Sequence, residues 1–69
     1  MKMYAVECYP QGWEEPFKRE MFDEKQRAFN HATLMNLYYP TVRVYEVQYI
    51  PGQLGSEQYL IKTLKSKRA

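Results

Sequence analysis

A chain of 69 residues makes one domain and, at that size, buries only about 60% of the surface its unfolded form exposes. Hydrophobic residues are 45% and charged residues 26%, as in globular chains; a single cysteine excludes an internal disulfide, and one cysteine with one histidine falls short of a structural zinc site. The net charge of +2 excludes a highly acidic mimic of DNA, and of the devices that stabilise small domains only association with another chain stays open.

The first stretch, "MKMYAVECY" (1–9), is rich in Tyr and Val and stopped by Pro10 and Gly12, so it reads as a strand. It has one lysine and is interrupted by Glu7, so it does not read as a signal peptide; with no apolar run near the eighteen or so residues of a membrane span, a cytoplasmic setting and no membrane partner are expected. "PQGW" supplies a turn. "EEPFKREMF" (14–22) carries residues that favour a helix, but Phe17, Arg19 and Met21 alternate with Lys18, Glu20 and Phe22. A second strand is the preferred reading, with Pro16 placing it at a sheet edge.

Asp23 with Gln26 three residues on resembles a capping box, and a helix is expected over about 24–39, ending by Pro40. At 100° per residue Ala28, Ala32, Met35 and Tyr39 form one stripe flanked by Phe29 and Tyr38, narrow enough to lie close on a sheet; Leu34 and Leu37 fall on the far side. "TVRVYEVQYI" (41–50) is the strongest strand signal, "PGQLGSEQ" reads as a loop, and "YLIKTL" (59–64) as either a short strand or a helical turn. The fold class expected is α+β: a single β-β-α-β domain over 1–64, with that closing element, a mostly antiparallel sheet and one helix on one face. Residues 65–69 read as a basic, disordered tail. Residues 1–61 carry six basic against eight acidic residues, and the positive excess lies in Lys62, Lys65, Lys67 and Arg68.

Both strong strands carry apolar residues on both sides. The third has Val42, Val44 and Ile50 on one face and Tyr45, Val47 and Tyr49 on the other; the first has Tyr4, Val6 and Cys8 against Met3, Ala5 and Tyr9. A sheet with one solvated face alternates apolar with polar residues, so here both faces call for cover and one helix supplies it to one. Tyrosine is also an ordinary strand residue, and a half-exposed sheet of tyrosines needs no ligand. As an interface, the surface would use Tyr9, Trp13, Arg43, Tyr45 and Tyr49, with Leu34 and Leu37 as a second patch, against a protein target or a second copy of the chain. As a nucleic-acid site it would stack bases on the same aromatics and use Arg43, Lys62, Lys65, Lys67 and Arg68, but only Arg43 is interleaved with the strand tyrosines.

Chemistry by side chains lacks a constellation. Cys8 and His31 have no evident third group, and adjacent Glu14 and Glu15 point to opposite sides of a strand. "PGQLGSE" lacks the lysine and following helix of a phosphate loop. No enzyme activity, cofactor or metal is therefore expected. In size and organisation, over its whole length and without a motif, the chain resembles small accessory proteins of bacteriophages and mobile elements, including anti-CRISPR and other host-takeover proteins. That resemblance implies an inhibitor that binds and occludes a host protein in the host cytoplasm; the second apolar sheet face leads in turn to the expectation of a homodimer.

Overall fold

A computed structural model describes residues 2–52 and 55–66. The chain is α+β, with β1 at Lys2–Tyr9, β2 at Lys18–Phe22, α1 at Lys25–Met35, β3 at Thr41–Tyr49 and β4 at Ser56–Lys65. The strands form one antiparallel sheet in the order β2-β1-β3-β4. β1 and β3 thus form the centre and β2 and β4 the two edges, and β1 pairs with β3 across the whole of its length.

Register decides which side chains share a face. Val6 stands opposite Val44, and Cys8 opposite Val42. The helix lies on this side, bringing fully buried Ala28 and Ala32 onto Val6, Cys8, Val42 and Val44; Tyr4, Phe22, Phe29, Met35, Tyr39 and Leu64 close the rim. Small residues at the centre of the helix stripe are what permit so close an approach, because a longer side chain there would hold the helix off the valines.

The helix is shorter than its sequence pattern indicates. It starts after Glu24, which has extended backbone and no side-chain cap bond, and Gln26 donates to Asn30 instead of closing a box with Asp23. It ends at Met35, four residues ahead of the expected limit. Leu37 N–H bonds Leu34 C=O and Tyr38 N–H bonds Met35 C=O, tightening the last turn, while Asn36 Nδ2 donates to Tyr39 C=O at 3.1 Å. An amide side chain that satisfies a backbone carbonyl beyond the helix stops it before Pro40 can. One casualty is Tyr38, which stands exposed instead of flanking the core stripe.

The ambiguous second segment is a strand, and it does lie at the sheet edge, but only Lys18–Phe22 pairs; Glu14 to Pro16 belong to the connection. The closing element is a strand of ten residues that takes in Ser56, Glu57 and Gln58, which read as loop in the sequence, and Lys65, which read as tail. Ser66 N–H bonds Pro40 C=O at 2.9 Å, continuing that tie. The rest of the expected tail, Lys67 and Arg68 included, lies outside the described residues. Between Val44 and Tyr45 the β3–β4 register shifts, leaving Ile61 as an extra residue between Lys62 and Leu60.

Candidate functional site

The side of the sheet away from the helix is the candidate site. Tyr9, Arg43, Tyr45 and Tyr49 all project there, because they keep the parity of Ala5 and Val47 along β1 and β3. In ladder order across β2, β1, β3 and β4, one row reads Met21, Ala5, Tyr45, Leu60 and the next Arg19, Glu7, Arg43, Thr63. Ala5 and Val47 are buried among their larger neighbours, whereas Met21, Tyr49 and Leu60 are exposed. Leu60, with 52% of its surface open, is a large apolar group that the fold itself leaves uncovered.

A polar centre interrupts this surface. Glu7 is buried and stands between two arginines in the ladder. Its carboxylate accepts from the Tyr9 hydroxyl at 2.5 Å and from Arg19 Nη1 at 3.2 Å. Arg43 lies over the Tyr9 ring, 4.8 Å from its centroid. Burial, followed by the bond to Glu7, pushes the Tyr9 hydroxyl well above its ordinary pKa, so it stays a donor. The neighbouring Tyr45 side chain is the largest influence raising the pKa of Arg43. The buried carboxylate is therefore served from two sides, which meets the requirement that a buried charge be paired and hydrogen-bonded.

At one end of this face a cleft of about 400 Å³ opens between the β1–β2 connection and the start of β3. Tyr9, Trp13, Thr41, Arg43 and Lys65 line it, with Glu14 at its wall. Trp13 is held by an edge-on contact to Phe17, whose ring stacks on Tyr39, so the connection is pinned to the turn after the helix. Gly12, at φ 81°, gives that connection its left-handed corner.

The sequence-derived residues thus divide. Tyr9, Arg43, Tyr45 and Tyr49 share the open face, and Trp13 joins them through the cleft. Leu34 and Leu37 are both exposed, but on the helix and in the turn that follows it, with the sheet between them and the tyrosines. Lys65 lies at the cleft, whereas Lys62 is on the helix side, its Nζ 6.0 Å from the Phe29 ring centroid. Glu7, Arg19, Met21 and Leu60 are members of the face that the sequence reading left out; a solitary acid inside an apolar strand was the signal for the first.

Cys8 is buried in the core, and burial is the main reason its thiol pKa is raised. His31 is half-buried rather than a surface group: it packs on Phe22 and places Nε2 3.1 Å from Glu20 Oε2. Among the described residues no group of three or more His, Cys, Asp or Glu is arranged to hold a metal, and no helix is long and apolar enough to cross a membrane. No known family's profile matches the chain, and neither a curated protein nor a solved structure does.

Proposed function

We propose that the protein is a non-enzymatic binding module that lays the open face of its sheet on a protein partner and blocks the surface it covers. The observation that carries this reading is the uncovered row of Met21, Tyr45 and Leu60, with exposed Tyr49 beyond it, around a fully satisfied polar centre. Aromatic, Met and Arg side chains on one surface are the composition of interface cores. Arg19, Arg43 and Lys65 outnumber the carboxylates of Glu7 and Glu14 beside them, which favours a partner surface that presents acidic groups. Occlusion of a host protein by such a face is the mode of the accessory proteins that the chain resembles.

The cleft favours a second reading, single-stranded nucleic acid, since Trp13 and Tyr9 stand beside Arg43 and Lys65. One experiment separates the two. A partner retained by the immobilised protein is identified, and its affinity is measured from low to physiological salt for the wild type and for a Tyr45→Ser, Tyr49→Ser double variant. The double variant is expected to bind at least roughly tenfold more weakly, with only a modest dependence on salt. Equal binding by the variant counts against the face, and an affinity that falls by orders of magnitude with salt assigns the site to nucleic acid.

A further inference from the structure

We infer that the outer edge of β4 is the seat of a second copy of this chain, added strand against antiparallel strand, so that two four-stranded sheets join into one of eight. This concerns an edge rather than the open face, and it stands independently of what that face binds.

The two edges of the sheet are built differently. β2 has five residues, opens with Lys18, Arg19 and Glu20, and follows Pro16 closely, all of which discourage further pairing. β4 has ten residues and no proline; its lysines lie in the half beyond the extra residue Ile61, and every residue from Ser56 to Thr63 is exposed. Its middle is Tyr59-Leu60-Ile61, and its outer side offers a row of backbone donors and acceptors to a further strand.

Charge selects the occupant. β4 is polarised: Glu57 lies near its start, Lys62 and Lys65 near its end. A parallel copy sets lysine beside lysine. An antiparallel copy sets each Glu57 end against the lysine end of its mate, twice by symmetry, and brings the Leu60-Ile61 step to the two-fold axis. The strand is its own electrostatic complement.

Sedimentation equilibrium of the whole chain tests this. The wild type is expected to dimerise reversibly. Ile61→Lys, which sets like charges across the axis at an exposed position, is expected to raise the dissociation constant roughly tenfold or more while leaving the circular dichroism unchanged. Glu57→Lys and the Lys62→Glu, Lys65→Glu pair are each expected to weaken self-association, and an equal mixture of the two variants to associate more tightly than either alone. A wild type that stays monomeric up to about 1 mM overturns the inference. So does a dimer unaffected by Ile61→Lys, a charge-swapped mixture no tighter than its components, or a dimer lost only when Tyr45 and Tyr49 are replaced. Failure of the last kind moves self-association to the open face, whereas loss of a foreign partner with the dimer intact bears on the face alone.

Discussion

Glu7 shows how much one side chain depends on residues far from it in sequence. Within β1 it is an acid among Tyr, Ala, Val and Cys, and its one local partner is the Tyr9 hydroxyl. Its ion-pair partner Arg19 arrives from β2, and antiparallel register sets Arg43 of β3 on its other side, over the Tyr9 ring. Register is a property of pairs of strands, so this centre could not be read from any single window of the chain. Glu7→Ala leaves the Tyr9 hydroxyl without its acceptor and Arg19 without its ion-pair partner, and is expected to cost about 1–3 kcal/mol in urea denaturation. Glu46 is the control: it pairs at 3.2 Å with the exposed Lys2, and Glu46→Ala is expected to cost under about 1 kcal/mol. Equal losses for the two variants would show that burial of Glu7 has no energetic consequence. What was legible at this scale is the shared face of Arg43, Tyr45 and Tyr49, since a period of two is fixed by the strand itself, and Tyr9 joins it through the β1–β3 register.

For the elements, existence was easier to read than extent. β1 and β3 emerge with ends within a residue of those expected, because Pro10, Pro40 and Pro51 bound them. The helix stripe through Ala28 and Ala32 also held, for the same periodic reason. The helix end did not, because Asn36 acts through a side-chain bond that leaves no periodic trace. β4 was underestimated since Ser56, Glu57 and Gln58 are weak strand formers in isolation, and the long β3 template outweighs that preference. The close approach of α1 yields a measurable expectation. Ala32→Leu must push the helix away from the valines of β1 and β3 and is expected to destabilise the fold by about 1–3 kcal/mol. Leu34→Ala, on the exposed side of the same helix, should change stability by about 0.5 kcal/mol or less. A tolerated Ala32→Leu would mean that the helix rides on its rim residues and not on its alanines.

At the scale of the whole molecule, the chain measures 47 Å in its longest direction, while eleven helical residues span only about 16 Å. The helix-side positions change character where α1 no longer reaches: Glu46 and Gln48 on β3 face Tyr59 and Glu57 on β4, and Tyr59 donates its hydroxyl to Glu57. That is why neither face of β3 looked wholly polar or wholly apolar in the sequence; one face is split along its length. The inferred self-pairing through β4 would make thermal stability depend on concentration, since a ligand that binds only the folded form raises its midpoint, and here the ligand would be the protein. A hundredfold increase in concentration is expected to raise the midpoint by roughly 5 °C for the wild type and far less for Ile61→Lys. A midpoint independent of concentration would remove the thermodynamic role assigned to the edge.

The roof of this molecule is shorter than its floor. Beyond the first helical turn, the β3–β4 arm juts out like an eave, with backbone hydrogen bonds but, among the described residues, no hydrophobic layer above them. Amides there should exchange with solvent sooner than those beside Ala28 and Ala32, and whatever docks on the arm must first steady it. Part of any docking energy is thereby diverted into ordering, which tunes such contacts toward prompt release rather than permanent capture.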